Sequence, residues 1–171
     1  MNILAISGSL RADSSNARLL RAAAAVAPAD MAFLFCESLG TLPHFNPDLD
    51  GEGATPLPAV AAFRRLLAEA DGVVISSPEY AHGVPGSLKN ALDWIVSSGE
   101  LTDKPVVLLT AAPSGGEFVH AALIETLCIM GAHVLPDASL RTSAARKDVD
   151  PELTQALAAS LRALAAAISR S

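Results

Sequence analysis

The chain has 171 residues, a formal net charge of −6 and a hydrophobic fraction of 51 %. This length fits one domain, residues 1–171, and the acidic balance argues against nucleic acid, which clustered Lys and Arg bind. No uncharged apolar run approaches the ~20 residues that span a bilayer, no secretory signal is apparent, and Cys36 and Cys128 are isolated. We therefore expect a soluble cytoplasmic protein with no membrane partner.

Short apolar runs alternate with helical patterns along the whole chain. The runs lack polar alternation, which predicts parallel strands covered on both faces. They are NILAI (2–6), MAFLF (31–35), GVVIS (72–76), PVVLLT (105–110) and AHVL (132–135). Helices are predicted at about 17–27, capped by Ser15 or Asn16, at about 57–70, after Pro85, at about 117–130 and after Asp150 and Pro151, which form a cap and first-turn pair. This alternation predicts a doubly wound α/β sheet with right-handed crossovers.

Two segments match no regular element. Residues 36–57 are rich in Pro, Gly and Asp and too long for a turn, which is typical of functional or disordered loops. Residues 136–150 carry Arg141, Arg146 and Lys147, and we interpret them as a flap or a contact surface.

The loop after the first strand, residues 7–16, has the composition of an anion site. In a doubly wound sheet, ligands bind beyond the carboxyl ends of the strands. This loop places serine hydroxyls, the Asn16 amide and the Arg11 guanidinium at a helix start, which suits a compact monophosphate. It lacks both the dinucleotide and the triphosphate fingerprint. An ordinary capped helix start with a solvated arginine fits these residues equally well.

The loops after the third and fourth strands, SSPEYAHGVPG (76–86) and AAPSGG (111–116), suit a planar ligand. Glycines let such a ligand approach the backbone, and Tyr80 can line a ring. We expect Glu79 to anchor its loop through hydrogen bonds, because a carboxylate opposes negative charge on a ring. His82 is either a proton donor near neutral pH or an exposed histidine without a role.

Together these motifs resemble the NADPH-dependent FMN reductase family, a flavodoxin-like group that includes bacterial quinone, chromate and azo-dye reductases. GSLRADSSN (8–16) resembles the family's GSLRxxSxN phosphate loop, and PEYAHGVPGSLKNALDW (78–94) resembles its PEYNxSxPGxLKNALDW segment. LPHFNPDLD (42–50) and SGG (114–116) are similar to two further loops of the family. The resemblance implies a three-layer sandwich with a five-stranded parallel sheet in the order 2-1-3-4-5 and helices on both faces.

The resemblance also implies a function. FMN would accept hydride from NADPH or NADH and reduce a small electron acceptor such as a quinone, an azo compound, a metal oxyanion or free flavin. No metal and no catalytic side chain are implied, since the chemistry belongs to the cofactor. The residues implied to hold FMN are Ser9, Arg11, Ser14, Ser15 and Asn16 at the phosphate, Pro78, Glu79, Tyr80, Ala81 and His82 at the ring, and Ser114, Gly115 and Gly116 in the third loop.

The resemblance implies a homodimer or homotetramer, with the helix after Pro85, Trp94 included, as a candidate contact. Two positions depart from the family pattern, because its Asn and Ser are replaced here by Ala81 and Gly83. Backbone contacts to the ring survive both changes, whereas side-chain hydrogen bonds do not, so we expect altered flavin affinity or redox tuning.

Two other functions stay open. One is a flavodoxin-type electron carrier served by partner proteins, against which the few aromatic residues and the moderate charge argue. The other is a non-catalytic module on the same scaffold, which the changes at positions 81 and 83 favour, since a fold alone does not determine a function.

Overall fold

The computed structural model describes residues 1–37, 39–51, 53–143 and 150–170, and its centre is one parallel sheet. The strand order is β2-β1-β3-β4-β5, with β6 also paired to β4, so the predicted order is confirmed. The strands are β1 (Asn2–Ser7), β2 (Ala32–Phe35), β3 (Gly72–Ser77), β4 (Pro105–Ala111), β5 (His133–Val134) and β6 (Leu140–Thr142).

In the described part of the chain, five helices cover the two faces of the sheet: α1 (Ser15–Ala25), α2 (Pro58–Ala68), α3 (Gly86–Asp93), α4 (Glu117–Ile129) and α5 (Pro151–Ile168). Successive strand residues point to opposite faces, which separates two apolar cores. Leu4 and Ile6 of β1 pack with α2, α3 and α4, whereas Ile3 and Ala5 pack with α1 and α5. The predicted three layers are therefore confirmed. Among the helices of the described residues, none combines the length and the apolar composition that a bilayer span requires.

Side-chain caps decide where two of these helices begin. The Ser14 hydroxyl accepts a hydrogen bond from the Ala17 N–H at 3.0 Å, so α1 begins at residue 15, and the caps predicted one or two residues later are wrong. Asp150 caps α5 as predicted, because its carboxylate accepts from the Leu153 N–H at 2.8 Å.

Two short described strands, β5 and β6, pair with the outer edge of β4, where one strand was predicted. Pro136 has no N–H to donate, and residues 136–138 leave the ladder as a short 3₁₀ helix. The Ser139 hydroxyl fills the gap, accepting from the Leu108 N–H at 3.0 Å and donating to the Leu135 carbonyl at 2.8 Å. Residues 140–142 then rejoin the sheet as β6, so they are not the predicted flap, and Arg146 and Lys147 lie outside the described residues.

The opposite edge of the sheet departs from the prediction that every strand is covered on both faces. Leu34 and Phe35 of β2 are exposed, because β2 pairs only with β1 along the described residues. The prediction is therefore wrong for this edge strand.

The long segment after β2 is bound to α3. The Pro43 carbonyl accepts hydrogen bonds from Asn90 Nδ2 at 2.9 Å and from the Trp94 indole N–H at 2.8 Å. Asn90 also accepts from the Phe45 N–H, and the rings of Phe45 and Trp94 meet edge to face. The Trp94 side chain is 1 % exposed beneath this segment, so its predicted place in a subunit contact is wrong.

Candidate functional site

The three predicted loops meet at the carboxyl edge of the sheet, because they follow the neighbouring strands β1, β3 and β4. The first two loops lie in close contact at Gly8, whose N–H donates to the Ser76 carbonyl at 2.8 Å. A Cβ at Gly8 would lie 3.1 Å from both Ser77 Oγ and Leu88 Cδ2, so these side chains would have to shift by a few tenths of an ångström to accept one. The fold therefore brings the predicted phosphate loop against the predicted ring loop.

Asn16 joins the start of α1 to two strand ends. Its side-chain oxygen accepts from the Ser76 hydroxyl at 2.9 Å and the Ala111 N–H at 3.1 Å, and Nδ2 donates to the Ala111 carbonyl at 3.0 Å. Asn16 is 2 % exposed, so its side chain is committed to these protein groups. Of the groups of Asn16, only the backbone N–H in the first turn of α1 is therefore available for the predicted phosphate contact.

The first loop is curled by its own hydroxyl groups. Ser9 Oγ accepts from the Arg11 N–H at 3.3 Å, and the Arg11 carbonyl accepts from the Ser14 N–H at 3.1 Å. Ser14 caps the helix, and the Ser15 hydroxyl accepts from Arg18 at 3.2 Å. Because a hydroxyl both donates and accepts, Ser9 can hold the turn and still donate to an anion.

Arg11 is the cation of the first loop, and no carboxylate of the described residues pairs with its guanidinium. Arg18 and Arg21 both form ion pairs with Asp13, at 3.2 and 3.4 Å. Arg11 is exposed and forms no ion pair within the described part of the chain. Its guanidinium and the N–H groups at the start of α1 together fit the charge and the donor requirements of a monophosphate.

A cavity of about 290 Å³ lies beside the first loop. Ser9 and Arg11 line this cavity together with residues 35–37 at the end of β2. Its lining comes from the first loop, β1, α1 and the segment after β2, so the cavity suits the phosphate end of a ligand and is separate from the second loop.

The second loop ends in a two-residue hairpin. Tyr80 and Gly83 exchange backbone hydrogen bonds of 3.2 and 2.9 Å, and Ala81 and His82 between them have φ values of 50° and 57°. Positive φ at both central residues defines a type I′ turn. The N–H groups of Ala81 and His82 are not used by the hairpin and have no acceptor among the described residues. They are available to the edge of a planar ligand.

Replacing Ala81 by asparagine should stabilise this turn, because asparagine tolerates positive φ better than alanine. We expect Ala81→Asn to raise the free energy of unfolding by about 0.5–1 kcal/mol in urea titrations of the cofactor-free protein. Ala54→Asn, at an exposed alanine without positive φ, is the matched control and should give no gain. A lower stability of Ala81→Asn would contradict the turn geometry.

Glu79 connects the second loop to the third loop and to α4. Its carboxylate accepts from the Ser114 hydroxyl at 2.6 Å and from the Val119 N–H at 3.1 Å. The Ser114 hydrogen bond, followed by those of the Val119 and Phe118 backbone, lowers the pKa of Glu79 below its ordinary value. The expected anchoring by hydrogen bonds is therefore confirmed, while contact of Glu79 or Ser114 with a cofactor stays a prediction.

Two glycines shape the third loop. Gly115 and Gly116 have φ values of 85° and 69°, and Gly116 is the N-cap residue of α4. A Cβ on Gly116 would lie 2.1 Å from Thr110 Cγ2, whereas one on Gly115 would meet nothing within 4 Å. Gly116 thus lets the start of α4 approach the end of β4.

Phe118 was not singled out from the sequence, and it adds an exposed aromatic ring to the site. Its ring lies 4.3 Å from that of His82, with the two planes at 81°. Tyr80 and Phe118 are 57 % and 54 % exposed. The available signal was an aromatic residue two positions after Gly116 and off the apolar stripe of α4. We call the exposed side chains of Tyr80, His82 and Phe118 the aromatic surface of the site: His82 and Phe118 are in ring contact, and Tyr80 belongs to the same hairpin as His82.

His120, also missed, lies deeper in the same region. Its Nδ1 is 3.2 Å from the Thr110 hydroxyl, and burial, with a smaller contribution from Arg141, lowers the pKa of this histidine. His120 lies one helical turn after Gly116, and this spacing is the sequence signal that would place it near the end of β4.

Comparisons with known proteins agree with this geometry. The family model described as NADPH-dependent FMN reductase matches residues 1–147. The chain is 32 % identical to the quinone reductase of Escherichia coli K12 over 156 residues, 89 % of this chain and 82 % of the relative. It is 33 % identical over 158 residues to the NAD(P)H-dependent FMN reductase of Pseudomonas aeruginosa, 89 % of this chain and 83 % of the relative.

A solved structure supports the fold. The flavoenzyme NAD(P)H:(acceptor) oxidoreductase FerB of Paracoccus denitrificans superposes with a TM-score of 0.83 at 23 % identity. The match covers 99 % of this chain and 97 % of that protein.

Proposed function

The chain belongs to the NADPH-dependent FMN reductase family, and we propose that it uses NAD(P)H to reduce small quinones. It is accordingly an FMN-dependent NAD(P)H oxidoreductase. The acceptor class is the finer step, and the relative from Escherichia coli, which is named a quinone reductase, supports it.

The residues of the site fit FMN. Arg11, with its free charge, and the N–H groups at the start of α1 would hold the phosphate, and the N–H groups of Ala81 and His82 would contact the edge of the ring. The convergence of these donors on one edge of the sheet is the observation that carries the proposal. When bound, FMN supplies the hydride acceptor and donor, and the protein supplies binding and orientation.

The aromatic surface of Tyr80, His82 and Phe118 supports a planar acceptor. Aromatic rings interact favourably by stacking or edge to face, so this surface suits a quinone better than a hydrated metal oxyanion. Its exposure leaves room for two planar substrates, a nicotinamide and a quinone, to enter in turn.

Spectroscopy and kinetics test the function. The purified protein is incubated with FMN, desalted and titrated anaerobically with NADPH and with NADH, and then mixed with benzoquinone. We expect a yellow protein that one of the nicotinamides bleaches and the quinone reoxidises. Failure of both nicotinamides to reduce the FMN-loaded protein would overturn the proposal. A flavodoxin-type carrier would show almost no direct NAD(P)H oxidation, and a non-catalytic module would stay colourless after desalting.

Replacing Arg11 tests the phosphate assignment. We expect Arg11→Met to weaken FMN binding by about 1.5–3 kcal/mol, or about 10- to 100-fold, because a charge-assisted hydrogen bond is lost. Riboflavin, which lacks the phosphate, should bind the variant and the wild type equally well. Arg65→Met, an exposed arginine of α2 paired with Glu69 and outside the cavity, is the matched control and should leave FMN affinity within about twofold. Fluorescence titration gives each dissociation constant, and equal losses for FMN and riboflavin would refute the assignment.

A homodimer or homotetramer is the assembly that we propose. Three exposed apolar side chains of the α3–α4 layer support it, since a contact that covers them would remove apolar surface from water. They are Val96, Phe118 and Ile129. Light scattering of the eluted protein measures the mass, and a monomer at micromolar concentration would contradict the assembly.

A further inference from the structure

The Glu79 side chain is unusually enclosed for a loop carboxylate. It is 3 % exposed, and both of its oxygens are occupied, one by the Ser114 hydroxyl and the other by the Val119 N–H. The residue before it is Pro78, and the hairpin of Ala81 and His82 follows it. The Val119 hydrogen bond therefore connects the loop of the hairpin to the first turn of α4, and the Ser114 hydrogen bond connects it to the third loop.

Glu79 also supplies a cap that α4 does not have in its own sequence. The N-cap residue is Gly116, which has no side chain, and no side-chain hydrogen bond from this position closes the first turn. The Glu79 carboxylate takes that place from another loop, at the positive end of the helix. The interaction is non-local, since Glu79 and Val119 are 40 positions apart in the sequence.

The carboxylate keeps its charge at neutral pH. Its donors and the helix terminus favour the ionised form, and the pKa of Glu79 is lowered accordingly. His82 Nδ1 lies 4.0 Å from Glu79 Oε1 and is the nearest titratable partner. Because the side chain is enclosed, salt screens its charge less than that of an exposed carboxylate.

We propose that Glu79 is a positioning residue that fixes the Ala81–His82 hairpin against the start of α4 and, through its charge, lowers the reduction potential of FMN. The inference rests on the proposed FMN site. Reduction of FMN to its anionic form adds one negative charge to the ring, which a fixed carboxylate disfavours. The same residue thus joins the two ring-side loops into one unit and makes the bound flavin a stronger reductant for its acceptor.

Three variants separate the contacts from the charge. In Glu79→Gln the amide oxygen can accept from the Val119 N–H while the NH₂ donates to the Ser114 hydroxyl, so both contacts persist without the charge. Ser114→Ala removes one contact and keeps the charge. Glu79→Ala removes both contacts and the charge. Each FMN dissociation constant is measured by fluorescence titration and each reduction potential by anaerobic titration with a reference dye, and urea titration of the cofactor-free proteins checks folding.

For Glu79→Gln we expect an oxidised-FMN affinity within about twofold of wild type and reduced FMN bound about tenfold tighter, which raises the potential by about 30 mV. Ser114→Ala should weaken FMN binding several-fold at an unchanged potential. Glu79→Ala should do both. A Glu79→Gln potential equal to that of wild type overturns the role of the charge, and a Glu79→Ala affinity equal to that of wild type overturns the positioning role. A wild-type protein that binds no FMN overturns the site itself, which distinguishes failure of the proposed function from failure of this inference.

Discussion

The Gly116→Ala variant is expected to lose about 2–5 kcal/mol of its free energy of unfolding. The added Cβ would lie 2.1 Å from Thr110 Cγ2, far inside van der Waals contact. The φ of 69° adds a conformational cost of about 1–2 kcal/mol for alanine. Thr110 is buried in β4, so the start of α4 has to move instead, and its Val119 N–H leaves the Glu79 carboxylate. The variant should therefore bind FMN more weakly as well.

The neighbouring glycine provides the control for this effect. Gly115 also has positive φ, but a Cβ there meets nothing within 4 Å, so Gly115→Ala should cost only about 1–2 kcal/mol. Urea titration of the two cofactor-free variants gives the difference. Equal losses would mean that backbone conformation alone matters, and that the close approach of Gly116 to Thr110 does not limit the position of α4.

The Arg64→Met variant is expected to lose about 3–5 kcal/mol, because it leaves an ionised carboxylate without its partner in an enclosed place. Arg64 Nη2 lies 2.6 Å from Asp50 Oδ1, and the side chains of Arg64 and Asp50 are 13 % and 8 % exposed. Arg64 Nε also donates to the Trp94 carbonyl at 3.0 Å. Burial alone would raise the pKa of Asp50, but hydrogen bonds from Ser97 and Arg64 hold it below its ordinary value.

The adjacent arginine is a matched control for Arg64. Arg65 pairs with Glu69 at 3.9 Å, and both side chains are mostly exposed, so Arg65→Met should cost less than about 1 kcal/mol. Adding Asp50→Asn to Arg64→Met removes the unpaired charge and should recover part of the loss. Thermal and urea unfolding measure both, and equal stability of Arg64→Met and Arg65→Met would show that the enclosed pair contributes little.

The elements of the fold follow largely from local patterns in the sequence. Runs such as residues 105–110 are apolar throughout, which indicates a strand covered on both faces, and β4 is fully buried. Asp150 and Pro151 form a local cap and first turn, which is why the start of α5 was predicted correctly. The interruption after β5 was missed, since Ser139 completes the ladder only once β4 lies beside it.

The loops of the candidate site could be predicted from the sequence, whereas the roles of its single side chains could not. Glycines, prolines and hydroxyl residues after three strands identified the loops, because the residues that form turns and helix starts are neighbours in the sequence. Roles of single side chains depended on distant partners. Asn16 was predicted to hold a phosphate, but its side chain joins two strand ends, and Trp94, predicted to lie in a contact, is buried beneath residues 42–45.

The sequence by itself determined the α/β class, the order of strands and helices, the three ligand loops and, through its motifs, the family. Only the tertiary structure decided which donors remain free for FMN, because that depends on which hydrogen bonds the folded chain has already made. Glu79, Ser114 and Val119 are separated by as many as 40 residues, and no local pattern reveals that they meet. Strand and helix patterns are local properties, whereas the partners of a side chain are set by packing between distant segments.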